Sequence, residues 1–163
     1  MFILVSCGSN NNSTTTPSNS IDDTPSTTIP SNDTTNTETK EGESYLSMTL
    51  VLTIGTTEVD VYWMDNDSVK ALKKLAKDGL TLELHQYGGF EQTGSLGTSI
   101  PSNDTLMNIG PGDIVLYNSN QICLYYSTNN YSFTKLGHIN LERSELVELL
   151  GEEDNVIIKL NLK

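Results

Sequence analysis

The sequence predicts a mainly β (α+β) domain, either a small β-barrel or an α+β sandwich, with two short helices and a disordered N-terminal tail. Three observations lead to this prediction. After Met48, apolar residues alternate with polar ones over most of the chain, which is typical of strands with one buried face. Only two stretches, near residues 67–76 and 142–150, have helical spacing instead. The composition changes near residue 45, so the domain is assigned to residues 45–163.

The tail, residues 8–44, consists almost wholly of Ser, Thr, Asn, Pro, Asp and Glu, with Ile21 and Ile29 as its only large apolar side chains. Such a segment buries too little apolar surface to offset the entropy lost on folding. We therefore expect a disordered tether. As a flexible coil, a chain of about 37 residues has an r.m.s. span on the order of 35 Å and stretches to roughly 120 Å.

The first seven residues, MFILVSC, end in Leu4-Val5-Ser6-Cys7, which resembles a bacterial lipobox. In a lipobox the cysteine is acylated, so Cys7 is the predicted lipidation site. Only six residues precede it, without Lys or Arg, which indicates a truncated signal peptide or a misplaced start codon. The alternative is an ordinary apolar N-terminus that contains a cysteine. We expect an exported protein, lipid-anchored in the cell envelope and facing outward.

The charge of the chain argues against two classes of partner. The formal net charge is −12, and residues 45–163 carry 15 acidic against 8 basic residues. Phosphate binding needs clustered Lys and Arg, so a nucleic-acid partner is not expected. The same balance disfavours docking of the domain itself onto an anionic membrane.

The domain begins with a predicted hairpin that turns at Gly55. The inward residues of its strands are Leu50, Leu52 and Ile54, then Val59, Val61 and Trp63. Asp65 to Ser68 supply capping side chains for a helix, which Gly79 ends. The helix has apolar residues at helical spacing, namely Val69, Leu72, Leu75 and Ala76.

The next predicted strand has Leu80, Leu82 and Leu84 on one face, so Glu83 and His85 point to the same side. Two such residues are too few for a metal site without partners, and a solvent-facing pair is predicted instead. The stretch YGGFEQTGSLGTSIP, Tyr87 to Pro101, is predicted to be a structural loop whose glycines permit tight turns.

The remaining predicted elements follow turn signals and alternation. They are a turn at Pro111–Asp113, a strand at Ile114–Tyr117, a turn at Asn118–Asn120, a strand at Gln121–Ser127, a loop of Asn and Tyr residues, a strand at Lys135–Ile139, a helix at Glu142–Leu150 and a last strand from Val156 to Leu162.

Three runs in this order, GFEQTGSLGTSIP, PGDIVLYNSNQICLYYS and YSFTKLGHI, resemble the bacterial cyclophilin-like fold family. The resemblance covers about Thr49 to Leu162. It implies a small, closed or nearly closed β-barrel flanked by two helices. It implies a fold and not an activity.

The resemblance bears on prolyl isomerisation at one position. Cyclophilins use a His-Arg pair on a strand, followed by Phe and Gln, and the arginine stabilises the twisted amide. This chain has His85-Gln86 there, with Phe90 and Gln92 at shifted spacing. A neutral amide cannot give the charge-assisted hydrogen bond of a guanidinium. The single arginine, Arg143, is expected to pair with an acid such as Glu148, so no catalytic residue is predicted.

A ligand-binding groove is predicted from Phe90, Gln92, Tyr125 and Tyr131, with Gln86 beside it. Tyrosine suits recognition surfaces because it offers apolar area and a polar tip. The expected ligand is a proline-containing peptide or a small molecule. For Phe90 the alternative, a core side chain, is favoured over a wall of the groove.

Two other functions stay open: a divergent prolyl isomerase or chaperone for exported proteins, and an accessory domain linked to flavodoxin-type redox proteins. No phosphate-binding turn for a flavin is visible, so we expect no cofactor, and no metal. Cys123 lies in a strand-like run and is predicted to be a small buried apolar residue.

Overall fold

The computed structural model describes residues 44–163. The predicted lipobox and all of the predicted tether except Ser44 lie outside the described residues. The described chain opens with a 3-10 turn, Ser44–Ser47, and then enters the barrel. No helix within residues 44–163 combines the length and apolarity needed to span a membrane.

Ten strands and two helices make up the domain. The strands are β1 Leu50–Ile54, β2 Thr57–Val59, β3 Val61–Trp63, β4 Leu80–Tyr87, β5 Glu91–Ser95, β6 Thr105–Ile109, β7 Asp113–Tyr117, β8 Gln121–Tyr125, β9 Asn129–Ile139 and β10 Asn155–Leu162, and the helices are α1 Asp67–Leu75 and α2 Arg143–Leu150.

The strands form one antiparallel sheet in the order β2-β1-β10-β4-β5-β8-β7-β9-β3, and β6 pairs with β9 off this path. The two end strands, β2 and β3, are separated in the chain only by Asp60, so the chain passes directly from one end of the sheet to the other. The Trp63 indole Nε1 donates a hydrogen bond of 2.8 Å to the Leu50 carbonyl and links β3 to β1. The sheet is therefore a nearly closed barrel with two helices, as predicted.

The inner face of the barrel holds the main core, and both helices cover it. Fully buried members include Leu52, Leu72, Leu84, Ile114, Leu116, Ile122, Leu124, Leu136, Ile139, Leu146, Leu150, Ile158 and Leu160. The start of α1 is fixed by Asn66, whose side chain accepts from the Val69 amide at 2.9 Å and donates to the Lys135 carbonyl at 2.8 Å. The predicted capping segment and hairpin turn are thus confirmed, and Gly55 has φ +59.

Four predictions differ from the structure. The predicted second strand of the hairpin, from Val59 to Trp63, is two strands, because β2 pairs with β1 whereas β3 pairs with β9. The stretch Tyr87 to Pro101 is not only a loop, because its middle forms strand β5 between β4 and β8. Strand β6 lies in a segment for which no strand was predicted. The predicted loop before Lys135 is the first half of β9, which pairs with β6 there and with β7 further on.

Tertiary pairing explains the error at β5. Its sequence, Glu91-Gln-Thr-Gly-Ser95, has no β-branched residue except Thr93 and no aromatic residue, so local propensity is weak. Gly94 fits because the barrel has no room for a side chain there. A Cβ at this position would lie 2.5 Å from Leu84 Cδ2 and 2.7 Å from the Glu83 carbonyl oxygen.

Candidate functional site

A second, smaller apolar cluster lies on the outer face of the sheet. Along β7 and β8 the side chains alternate, so that Ile122 and Leu124 enter the main core while Cys123 and Tyr125 point outward. The buried members of this cluster are Ile109, Val115, Cys123, Tyr125 and Phe133, with Phe90, Met107 and Tyr117 packed against them.

The outer cluster forms the floor of a pocket of about 390 Å³, here called the aromatic pocket. Its defining residues are Tyr87, Glu91, Tyr117, Tyr125, Tyr131 and Phe133, and Thr93, Gln121, Cys123 and Asn129 complete the lining. The strand registers create it: Glu91 on β5 lies opposite Tyr125 on β8, and Thr105 on β6 lies opposite Phe133 on β9. The volume falls in the range of about 300–1,000 Å³ that small-ligand sites occupy.

Among residues 44–163, Glu91 is the single charged residue in the lining of this pocket. It is only 7% exposed, and its Oε2 atom is buried without a hydrogen-bond partner. Burial raises the pKa of the Glu91 carboxyl, and the Tyr125 hydroxyl partly offsets that increase. A buried carboxylate oxygen without a partner is costly, and a bound ligand could supply the missing donor.

Tyr125 links the acid to the aromatic walls. Its side chain is fully buried, and its hydroxyl accepts a hydrogen bond of 3.1 Å from Asn129 Nδ2. Burial, and then the hydrogen bond to Glu91, raise the pKa of Tyr125, so the phenol stays protonated. The phenol beside Glu91 is therefore neutral.

The walls are rings set at steep angles to one another. The Tyr117 and Tyr131 rings lie 5.9 Å apart at 70°, and the Tyr131 and Phe133 rings lie 5.5 Å apart at 57°. Phe133 also contacts Tyr125, at 6.0 Å and 63°. Such edge-to-face contacts fix the rings and keep them from collapsing into a flat stack. Tyr131 is 54% exposed and stands at the rim.

The structure brings together three of the five residues predicted to bind a ligand. Tyr125 and Tyr131 line the aromatic pocket. Phe90 is half-buried beneath it, stacked on Tyr125 with ring centroids 6.1 Å apart and an interplanar angle of 13°.

Gln86 and Gln92, the other two predicted residues, lie opposite each other on β4 and β5 and do not line the pocket. Gln92 is fully buried, and its Nε2 donates to the carbonyls of Leu150 at 2.8 Å and Glu153 at 2.9 Å. The exposed Gln86 donates to the Gly151 carbonyl at 3.3 Å. Both therefore hold the turn that follows α2.

Sequence reasoning missed Glu91. The acid was visible between Phe90 and Gln92, but the segment was interpreted as a loop. In a strand, alternate side chains point to opposite faces, so Glu91 shares a face with Thr93 and not with Gln92. A loop gives no such assignment. The pairing with β8 supplies the missing information.

Two other polar groups lie outside this pocket. Asp113 Oδ1 pairs with Lys135 Nζ and, at 2.7 Å, with His138 Nδ1. Burial alone would raise the pKa of Asp113, but hydrogen bonds from Lys135, the Gly110 amide and His138 hold it below its usual value. The polar atoms of Asp113 are thus fully paired, next to the β-bulge between β7 and β9, and need no ligand.

The Glu83 and His85 side chains share one exposed face, as predicted, and both bond to Asn155, at 3.3 and 2.7 Å. Within residues 44–163 no three His, Cys, Asp or Glu side chains are grouped to hold a metal. The expected ion pair between Arg143 and Glu148 is not formed in the described part of the chain.

A larger cavity, of about 510 Å³, lies beside the first turn of α1. Its charged residues are Asp65, Asp67, Lys70 and Lys135. Lys70 pairs with Asp65 at 3.9 Å and with Asp67 at 3.2 Å, and Lys135 pairs with Asp113. They leave no buried group in need of a partner, so the aromatic pocket is the better candidate site.

These features define a nearly closed antiparallel β-barrel with two helices and a pocket on its outer face. A sequence model of the cyclophilin-like family matches residues 52–161. The chain belongs to the cyclophilin-like family. Comparison with curated proteins and with solved structures gave no match.

Proposed function

We propose that this chain is a lipid-anchored, exported protein whose cyclophilin-like domain holds a peptide segment or small ligand in the aromatic pocket without transforming it. One observation carries the binding proposal. The unpartnered Oε2 atom of Glu91 is buried in a pocket that is otherwise lined by neutral, mostly aromatic side chains. An unpartnered polar group that is buried, at a cost, in a residue lining a pocket is typical of a site that a ligand completes.

The groups that line the pocket favour ligand binding over catalysis of a reaction. Cys123 is the thiol among the described lining residues, and burial raises its pKa to about 12, so the thiolate is scarce at neutral pH. In the part of the chain that the structure describes, no Arg or Lys lines the pocket to stabilise a twisted amide. Arg143 lies at the start of α2. By the resemblance to cyclophilins, Gln86 occupies the strand position at which they have the arginine.

The binding proposal is tested by NMR titration of the full 163-residue chain with the blocked tetrapeptide Ala-Lys-Pro-Phe. We expect amide shifts at Glu91, Thr93 and Cys123, and weaker binding in Tyr131→Ala. Tyr62→Ala is the matched control, since Tyr62 is 73% exposed on β3 and outside the pocket. Shifts confined to Gln86 and its surroundings would contradict the placement of the site. Accelerated cis/trans exchange in the peptide would favour an isomerase instead.

The anchor is supported by sequence alone, namely by the lipobox-like run that ends at Cys7 and the polar tract that follows it. Its test is metabolic labelling with radioactive palmitate. The chain is expressed in bacteria behind the basic and apolar segments of a complete signal peptide. We expect label and membrane association with Cys7, and neither with Cys7→Ser. Equal membrane association of both chains would refute lipidation at this residue.

A further inference from the structure

We propose that the aromatic pocket selects a primary ammonium group, carried by a lysine side chain or by a free alkylamine. This inference rests on the proposed function and names the chemistry of the ligand that the pocket binds.

The first reason is the carboxyl group at the base of the pocket. Glu91 is more than nine-tenths buried, and Oε2 lacks a donor. Tyr87 faces it from β4, and Cys123 and Tyr125 approach from β8, but none of these carries a positive charge. An ammonium group would supply both the missing hydrogen bond and the missing counter-charge.

The second reason is the set of rings around that carboxyl. Tyr117, Tyr131 and Phe133 are mutually inclined by 57–70°, so ring faces as well as edges border the space. A cation within about 6 Å of a ring centroid is attracted by the negative face of the ring. A carboxylate combined with several aromatic rings therefore favours a cation with N–H donors over a neutral apolar ligand.

The third reason is the electrostatic setting. No lysine or arginine from the described residues 44–163 lines the pocket, and the chain carries a formal net charge of −12. A negatively charged protein raises the local concentration of cations and repels phosphate or carboxylate ligands.

The inference fixes the sign of a pH dependence. An ammonium ligand binds the ionised form of Glu91, so affinity falls as the solution is acidified through the raised pKa of this carboxyl. A neutral ligand that accepts a hydrogen bond from protonated Glu91 would bind more tightly in acid instead. The other titratable groups close to Glu91 are Tyr87, Tyr125, Cys123 and Tyr126, and burial raises the pKa of the last three.

The experiment compares three probes on the full chain by NMR and calorimetry. The first is the blocked peptide Ala-Lys-Pro-Phe, the second has norleucine in place of lysine, and the third is 1,5-diaminopentane. Norleucine keeps most of the lysine stem and removes the ammonium group. We expect the lysine peptide to bind at least tenfold more tightly than the norleucine peptide. Its affinity should fall more than twofold between pH 7 and pH 4.5, because a carboxyl whose pKa is raised above 4.5 is more than half protonated at the lower pH.

Glu91→Gln keeps the shape of the side chain and removes its charge, and should weaken binding of the lysine peptide at least tenfold. Glu83→Gln makes the same change on the exposed face of β4 and should have no effect. Diaminopentane binding at the same amides would assign the site to free amines as well as peptides, and its failure would confine the site to lysine within a peptide.

The outcomes separate the two proposals. Equal binding of both peptides in the pocket, or tighter binding in acid, would overturn ammonium selection and leave ligand binding intact. Failure of all three probes to shift any pocket amide would overturn both. Because the pH series uses the unmodified protein, the inference can be refuted even if a variant folds poorly.

Discussion

Gln92 provides the sharpest test of how the barrel is held together, through the substitution Gln92→Met. Methionine has a similar length and volume but donates no hydrogen bond, so the change removes the two bonds to the carbonyls of Leu150 and Glu153, 2.8 and 2.9 Å long. Each such bond contributes about 1 kcal/mol net, and the carbonyls left without donors add to the loss.

One effect acts in the opposite direction. Gln92 Oε1 is itself buried without a partner, and methionine removes that unpaired acceptor. Allowing about 1 kcal/mol for this relief, we expect a net loss of about 1–3 kcal/mol in the free energy of unfolding. For a domain of this size such a loss lowers Tm by roughly 4–12 °C.

The assay is urea unfolding of the full chain, followed by the fluorescence of Trp63, the single tryptophan. Trp63 joins β3 to β1, so its signal reports opening of the barrel. Gln86→Met is the matched control, because Gln86 is exposed, lies directly opposite Gln92 and makes one bond of 3.3 Å to the same turn. We expect the control to change stability by less than about 0.5 kcal/mol. Equal effects of the two substitutions would refute the conclusion that the buried hydrogen bonds of Gln92 hold the end of α2 against the sheet.

Three further predictions concern the sheet and its outer face. Burial raises the folded-state pKa of Glu91, so ionisation of this carboxyl lowers the stability of the folded state as pH rises through that value. Glu91→Gln should therefore be more stable than the native chain by about 1–2 kcal/mol at pH 8 but not at pH 4, measured by urea unfolding. Gly94→Ala should cost at least about 2 kcal/mol by the same measurement, because its Cβ would overlap Leu84 and the backbone of Glu83. Cys123, with its pKa raised to about 12 by burial, should react with iodoacetamide at pH 8 at least about a hundredfold more slowly than in urea, measured by mass spectrometry.

Each of these predictions has a matched control. Glu83→Gln should leave the pH profile of stability unchanged, and a stability gain in Glu91→Gln that persists at pH 4 would contradict the linkage. Gly110→Ala should be nearly neutral, since no atom lies within 4 Å of its Cβ position; a comparable cost at both glycines would contradict the steric explanation. Thiol reactivity is measured in Cys7→Ser, which leaves Cys123 as the single thiol, and rapid alkylation of the folded chain would show that the thiol is accessible.

Much of the fold could be predicted from local patterns. Alternation identified the inward residues of β1, and the capping segment before Val69 located the start of α1 within a residue or two. The order of three motifs indicated the family, which the match over residues 52–161 shows. The candidate site could be predicted only in part: Tyr125 and Tyr131 line the pocket, but Glu91, its one charged group, was not found.

By itself, then, the sequence determined the class of the domain, the positions of most strands and both helices, and the strong negative charge. These properties depend on side chains close together in the chain, where period and composition report burial directly. Only the tertiary structure decided that the weakly strand-forming segment from Glu91 pairs with β8, and that β6 pairs with the first half of β9. Pairing over long sequence separations depends on which edges and faces the rest of the barrel leaves open, and a one-residue shift of β5 would exchange Glu91 for Gln92 on the outer face.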